Sequence, residues 1–301
     1  MSSSHYLDPE ALGRLRNLPL AARLVVEGYF SGLHRSPRHG FSVEFAEHRE
    51  YTPGVDPRHI DWRVFGRQDK LYVKQYEEET SLRAWLVVDK SASMGYRHLG
   101  AMTKLEYACY LAASLAYLMR TQQDAVGLIT CDTVVAANLP PRQGPMHFAA
   151  LIEQLENARP GGETSLAKVL DEIAEQIPRR SLVIVLSDLF DDAGRVVQAL
   201  KHFRHRKHEV IVFHILDPAE RSFPFEDISA IEDMESGRVV HSDPQAFRRA
   251  YLNSMKSFLE VLRNGCGEAA IDYVAAETNT PFAGFLTSYL ARRSQFNKAT
   301  G

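Results

Sequence analysis

The chain has 301 residues, 45% hydrophobic and 24% charged, so it can bury a sizeable core and is neither disordered nor collagen-like. Its 35 Lys and Arg against 38 Asp and Glu give a net charge of −3, which argues against a dedicated nucleic-acid binder. Cys109, Cys131 and Cys266 have neither zinc-site spacing nor disulfide density, so we expect a reduced, cytoplasmic protein. No apolar stretch approaches the roughly 18 residues of a membrane helix, and the N-terminus lacks the basic segment of a signal peptide.

The pattern of residues divides the chain into two regions, 1–80 and 81–301. In the first, Asp8-Pro9 predicts the start of an amphipathic helix, and a second helical piece follows through Val26. Glycine and proline then punctuate short alternating runs between residues 31 and 79, which predicts irregular strands and turns.

The second region alternates strands with helices. Apolar runs predict strands at 84–88, 125–130, 181–187, 210–215 and 270–275, with hairpins at 133–137 and 225–240. Helical periodicity and capping signals predict helices at 103–119, 147–155, 166–177, 193–203, 245–263 and 282–292. This order favours a mostly parallel sheet covered on both faces, an α/β fold of the Rossmann-like three-layer α/β/α type.

Oxygen-bearing side chains follow the predicted strands, where doubly wound sheets bind their ligands. They are Asp89, Ser91, Ser93, Thr164 and Asp188, with Ser165 as an alternative to Thr164. An all-oxygen set suits a hard cation, Mg²⁺ before Mn²⁺ or Ca²⁺. Neutral hydroxyl ligands would leave such an ion electrophilic, so a carboxylate of a partner protein could complete its coordination. In the alternative interpretation, the two aspartates only cap the helices that follow them.

The order of these residues resembles the metal-ion-dependent adhesion site of von Willebrand factor type A (vWA) domains. In that family, a D-x-S-x-S turn follows an apolar strand, a Thr lies in a Gly-rich loop, and an Asp follows a second apolar strand. The resemblance implies that the second region is a vWA domain and that Asp89, Ser91, Ser93, Thr164 and Asp188 are its metal ligands.

A second motif lies in the first region and ends in Ile60-Asp61-Trp62. It resembles the signature of the bacterial "domain of unknown function 58" (DUF58) family, although Val55 replaces an acid that members often carry. The resemblance implies a chaperone-like role beside MoxR-type AAA+ ATPases, in assembly, maturation or metal insertion of client proteins. We expect the signature to form a partner surface, and a purely structural ion-pair cluster is the equal alternative; its residues are Arg49, Tyr51, Asp56, Arg58, Asp61 and Trp62.

An enzymatic function is the alternative to protein binding. A strand-end Asp89 also resembles the nucleophile of haloacid-dehalogenase-type phosphohydrolases, but those enzymes carry a second Asp where this chain has Ser91. The chain has no G-x-x-x-x-G-K-[ST] phosphate loop, so we assign any ATPase to a partner. We therefore expect a non-enzymatic, cation-dependent interaction module, with a metal-dependent phosphohydrolase using Asp89 as the alternative.

Three histidines recur at a spacing of three, namely His202, His205 and His208. They lie among Lys and Arg residues, whose positive charges would repel a metal ion. We interpret the cluster as the cationic C-terminus of a helix, which the helix dipole favours.

Overall fold

The computed structural model describes residues 17–33, 48–50, 72–74, 82–162, 165–178, 180–225, 231–232, 239–240, 244–282 and 284–287. Its helices are α1 (Leu18–Leu33), α2 (Lys104–Thr121), α3 (Pro145–Glu156), α4 (Leu166–Gln176), α5 (Ala193–His205), α6 (Pro218–Ser222) and α7 (Pro244–Glu268). Its strands are β1 (His48–Glu50), β2 (Tyr72–Lys74), β3 (Arg83–Asp89), β4 (Ala125–Cys131), β5 (Val135–Arg142), β6 (Leu182–Ser187), β7 (Glu209–Leu216), β8 (Ile231–Glu232), β9 (Val239–Val240) and β10 (Asp272–Glu277).

The central sheet has the strand order β10-β7-β6-β3-β4-β5. Neighbouring strands are parallel except β5, which is antiparallel to β4. β3 and β6 lie side by side in the middle, although β4 follows β3 in the chain. The order of the strands therefore reverses between β3 and β6, and sheets of this kind bind ligands at the carboxyl side of such a reversal. The predicted α/β architecture is confirmed.

Helices cover both faces of the sheet. Because strand side chains alternate between faces, Leu86 packs in the apolar cluster under α1, α2 and α3, whereas Val87 packs in the cluster under α4, α5 and α7. Burial on both faces explains why the strand sequences are continuous apolar runs rather than alternating ones.

The long helix α2 directly follows the first site loop. It begins at the predicted capping box, in which the Glu106 backbone N–H donates to the Thr103 hydroxyl at 3.1 Å and the Thr103 N–H donates to the Glu106 carboxylate at 2.8 Å. Most of its residues are buried, including Lys104 in its first turn. The helix is therefore fixed at the end of the sheet formed by the carboxyl ends of its parallel strands, where β3 ends.

Some elements differ from the sequence prediction. α1 extends to Leu33 rather than Val26, and β5 runs through Pro140 and Pro141 to Arg142. Proline is tolerated there because β5 is an edge strand. The predicted helix at Asp8 lies outside the described residues.

The predicted two-region division stays a prediction. Most of the strand-and-turn segment 31–79 lies outside the described residues, but β1 and β2 within it form an antiparallel pair. Buried side chains of α1 join the core cluster beneath α2, so this part of the first region packs directly on the sandwich.

At the other end of the sheet, where the parallel strands begin, α5 ends in the predicted basic cluster. His202 lies between Asp171 and Glu175, at 3.2 and 2.9 Å from their carboxylates. His208 follows the helix, is fully buried, and accepts a 3.3 Å hydrogen bond at Nδ1 from the Ser181 N–H. Burial, followed by the neighbouring positive charge of Arg206, lowers the pKa of His208 to about 4.

Two further expectations concern membranes and thiols. None of the helices in the described part of the chain is long and apolar enough to cross a membrane. Cys109, Cys131 and Cys266 are buried free thiols.

Candidate functional site

The first predicted loop folds back on the carboxylate that ends β3. Asp89 is 2% exposed. Its Oδ1 accepts a 2.8 Å hydrogen bond from the Ser91 N–H, and its Oδ2 accepts a 2.6 Å bond from the hydroxyl of Ser187 on β6. The buried hydroxyl oxygens of Ser91 and Ser93 lie 3.2 Å apart. The structure thus brings these three predicted ligands together, and their role in binding an ion stays a prediction.

The second loop is tied to the first through its glycines. The Gly161 N–H donates to the Lys90 carbonyl at 2.9 Å, and the Ala92 N–H donates to the Gly162 carbonyl at 3.2 Å. Gly162 has a φ of +80°, a conformation that favours glycine. These bonds hold the backbone just before position 163 against the turn that carries Ser91 and Ser93, which we call the serine turn. Thr164 itself lies outside the described residues.

The third loop follows β6 and closes on the other two. Asp188 is fully buried; its Oδ1 accepts a 3.3 Å bond from the Phe190 N–H. The Asp191 carboxylate accepts a 3.0 Å bond from the Ala167 N–H at the start of α4, directly after the second loop. The described parts of all three loops therefore converge where the strand order reverses.

Helix capping does not explain the strand-end aspartates. α2 is capped by Thr103, and α5 is capped by Asp192, whose carboxylate accepts from the Arg195 N–H at 2.8 Å. Asp89 and Asp188 instead accept from an N–H two residues later within their own loops. The capping interpretation is wrong for these two helices.

A buried ammonium, which the sequence analysis missed, contacts the site. Lys104 Nζ lies 2.7 Å from Asp188 Oδ2 and 2.6 Å from Glu220 Oε1, with its side chain fully buried. The ammonium also lies 4.7 Å from the ring centroid of Phe190. Asp188 is therefore shared between the predicted metal site and Lys104.

The pKa values in this cluster reflect crowded buried charge. Burial, followed by the negative charge of Asp188, raises the pKa of Asp89 to about 6. Burial alone would lower the pKa of Lys104, but attraction to Asp188 and Glu220 raises it above its ordinary value. Burial also raises the pKa of Glu220, against the opposing attraction of Lys104. Lys104 thus stays charged and neutralises only part of the buried negative charge.

The donor set fits a divalent cation. Asp89, Asp188 and Glu220 carry a net charge of −2 with Lys104 when all four groups are ionised, and a divalent ion would neutralise that charge. The carboxylate and hydroxyl oxygens at the strand ends are the ligands that Mg²⁺ prefers.

One carboxylate fixes the loop between the serine turn and α2. Asp217, at the end of β7, accepts hydrogen bonds of 2.9, 3.1 and 2.9 Å from the N–H groups of His98, Leu99 and Gly100. These bonds hold the pKa of Asp217 below its ordinary value, although burial opposes them. The Asp217 N–H in turn donates to Glu220 Oε2 at 2.7 Å. Asp217, Glu220 and Lys104 therefore join this loop to Asp188.

Most of the chain matches a known protein family. The family model described as "Protein of unknown function DUF58" matches residues 47–258, which is more than half of the chain. The chain belongs to the DUF58 family. The DUF58 resemblance recognised from the sequence is confirmed, and the structure confirms the predicted α/β sandwich.

Individual relatives also match over most of the chain. Two proteins described as uncharacterized, from Mycobacterium bovis and Mycobacterium tuberculosis, are each 28% identical over 270 residues, covering 86% of this chain and 83% of theirs. The solved structure of the conserved hypothetical protein BatB from Bacteroides thetaiotaomicron matches with 18% identity and a TM-score of 0.51. That match covers 72% of this chain and 99% of the BatB chain in the solved structure, and it shows a shared fold.

Most of the DUF58 signature lies outside the described residues. Arg49 lies on β1 opposite Val73 of β2. The other predicted partner-surface residues, namely Tyr51, Asp56, Arg58, Asp61 and Trp62, are not among those described. Their surface role stays a prediction.

Proposed function

We propose that this DUF58 protein is a non-enzymatic, divalent-cation-dependent protein-interaction module. The observation that carries the proposal is the convergence of three hydrogen-bonded loops on buried carboxylates whose charge a single ammonium only partly neutralises. The residues that would hold the ion are Asp89, Ser91, Ser93, Thr164 and Asp188. We propose Mg²⁺ as the ion, with Mn²⁺ or Ca²⁺ as alternatives.

When bound, the ion would supply a positive centre for a carboxylate of the partner protein. The protein's own part is to orient the donors and limit their charge. Ser91 and Ser93 offer neutral hydroxyls, and the ion pair with Lys104 neutralises part of the negative charge of Asp188. Such donors would leave the ion with positive charge to share, so an acidic partner would gain from binding.

The proposed partner is a MoxR-type AAA+ ATPase, or a client protein that supplies the acidic residue. This part of the proposal rests on the resemblance of the signature and the serine turn to those of the DUF58 family. The chain would then act in assembly, maturation or metal insertion of the client. The signature that includes Arg49 would add a second contact surface.

Titration with Mg²⁺ tests the cation site. At about 100 times its dissociation constant, an ion that binds only the folded state adds about 2.7 kcal/mol of stability. We expect this gain in the wild type and its loss in Ser91→Ala, measured by urea unfolding with and without Mg²⁺. Ser181→Ala is the matched control, because Ser181 is also buried but lies where β6 begins, at the other end of the strand from the site. Equal Mg²⁺ responses in Ser91→Ala and the wild type would contradict the site.

Binding to a purified MoxR-type ATPase from the same organism tests the partner. We expect capture in Mg²⁺ that a chelator and Ser91→Ala each abolish, and capture indifferent to both changes would refute the ion bridge. Turnover of a generic phosphoester that disappears in Asp89→Ala would instead support the phosphohydrolase alternative.

A further inference from the structure

An aromatic cluster lies beside the candidate site. Its base is Phe223, whose ring centroid lies 5.0 Å from that of Phe225, 4.9 Å from that of Tyr251 and 5.9 Å from that of Phe247. The ring of His98 lies 4.8 Å from that of Phe225. The cluster thus joins the loop before α2 to the start of α7.

The outer face of this cluster is apolar and exposed. Phe247 of the cluster is 38% exposed, and Leu99, which follows His98 in the chain, is 51% exposed. We call His98, Leu99, Phe225 and Phe247 the aromatic patch. Exposed apolar side chains that gather around aromatic rings mark interaction sites more often than scattered ones do.

Hydrogen bonds fix the backbone of the loop that carries Leu99. The N–H groups of His98, Leu99 and Gly100 all bind the carboxylate of Asp217, so the backbone here has little freedom to rotate. A Cβ added to Gly100 would lie 2.0 Å from Thr278 Oγ1, which shows how closely the loop packs. The exposure of Leu99 is therefore a property of a fixed loop.

The patch is physically connected to the cation site. The Tyr251 hydroxyl donates to the Glu220 carbonyl at 2.9 Å, and the Glu220 side chain contacts Lys104, which contacts Asp188. One short helix, α6, therefore separates the aromatic rings from the buried charges. Asp217, which binds the loop of Leu99, follows β7, and Asp188 follows the neighbouring parallel strand β6, so the patch and the site lie at the same end of the sheet.

Positive charge borders the patch. Arg248 follows Phe247 on α7, is exposed, and donates to the Ser222 carbonyl at 3.3 Å. An acidic ligand would complement this border and would also suit a site that binds a partner carboxylate through a cation.

We propose that the aromatic patch is the second contact of the partner bound at the cation site. It takes a large apolar side chain, aromatic or aliphatic, from an acidic segment whose Asp or Glu reaches the ion. This inference rests on the proposed function, and it names the chemistry of the partner: an acidic residue close to a large apolar residue. The ion alone would accept any carboxylate, so the patch would supply the specificity.

Selection of short random peptides displayed on phage tests the proposal. The full chain is the bait in millimolar Mg²⁺, and selected peptides are then measured by fluorescence anisotropy. We expect them to pair an Asp or Glu with a large apolar residue. Leu99→Ser and Phe247→Ser should each weaken binding roughly tenfold or more, since each removes apolar surface that the bound peptide would bury. Val261→Ser is the matched control: Val261 is 46% exposed on the same helix as Phe247 but distant from the patch, so binding should not change.

The outcomes separate the two proposals. Binding that a chelator abolishes but that Leu99→Ser and Phe247→Ser leave unchanged overturns the patch and leaves the ion bridge standing. Binding that needs the patch but ignores the chelator refutes the ion bridge and leaves the patch as an independent binding surface. Selected peptides that are basic or lack a large apolar residue, or a selection that yields no binder, overturn the proposal.

Discussion

Replacing Lys104 by methionine should strongly destabilise the protein. Methionine has a similar length and flexibility, so the main change is the loss of the positive charge. Asp188 and Glu220, now 2.7 and 2.6 Å from the ammonium, would keep buried negative charges without a cation. Breaking a buried ion pair in this way costs roughly 3–5 kcal/mol. Domains are usually stable by only about 5–15 kcal/mol, so the loss would be a large part of the total.

Urea unfolding followed by circular dichroism measures this loss. The double variant Lys104→Met with Glu220→Gln tests the cause, because it removes the positive charge together with one of the negative charges. We expect the second change to recover roughly 1–2 kcal/mol, since it removes an unpaired buried charge. Lys104→Met within about 1 kcal/mol of the wild type, or a double variant less stable than the single one, would refute the electrostatic argument.

The same variant also probes the cation site. Without the ammonium, the carboxylates of Asp89, Asp188 and Glu220 would carry a net charge of −3 when ionised. A divalent ion would then interact with more uncompensated charge. Mg²⁺ should therefore stabilise Lys104→Met more than it stabilises the wild type. An equal or smaller gain would argue against an ion beside Asp188.

Two further predictions concern the packing of Gly100 and the titration of His208. Gly100→Ala should lower the free energy of unfolding in urea by roughly 1–3 kcal/mol, because its Cβ would lie 2.0 Å from Thr278 Oγ1. Adding Thr278→Ala should restore part of the lost stability. Gly267→Ala, which meets no atom within 4 Å, should not destabilise, and an equal loss in both glycine variants would contradict the packing argument. For His208, whose folded pKa of about 4 lies below its unfolded value, the unfolded chain gains the proton first as pH falls. The contribution of His208 to stability is therefore fully present above about pH 6.5 and declines toward pH 4. His208→Asn keeps an acceptor for the Ser181 N–H, so between pH 7.5 and 5 it should lose roughly 1–2 kcal/mol less unfolding free energy than the wild type. Parallel pH profiles of the two proteins would contradict this titration argument.

The fold could be read from the sequence because its central strands are buried on both faces. Continuous apolar runs at β3 and β6 and the capping box of Thr103 and Glu106 are local signals that the folded chain preserves. The full length of β5 could not be read in this way, because Pro140 and Pro141 normally interrupt a strand. They are accommodated because β5 has a neighbour on one side only, which is a property of the assembled sheet.

The candidate site was predicted only in part for a similar reason. Asp89, Ser91 and Ser93 are close in sequence, so their spacing already indicated a shared turn. Lys104 lies 84 residues from Asp188 and 116 from Glu220, so no local pattern connects them. The single available signal was that α2 is apolar on nearly every face, which leaves a charged residue in its first turn few directions that avoid the core.

The contacts of Lys104 indicate that folding and ion binding depend on different carboxylates of this cluster. Its ammonium lies within hydrogen-bond distance of Asp188 and Glu220, so two of the buried carboxylates already have a cationic partner in the protein itself. Asp89 has no such partner among the described residues; it accepts neutral hydrogen bonds, and its pKa is raised to about 6. An added cation would therefore act mainly on Asp89 and the serine turn, while the contacts between α2 and α6 would stay as they are. Removing the ion should then abolish partner binding without unfolding the chain, whereas removing the ammonium should weaken the fold itself.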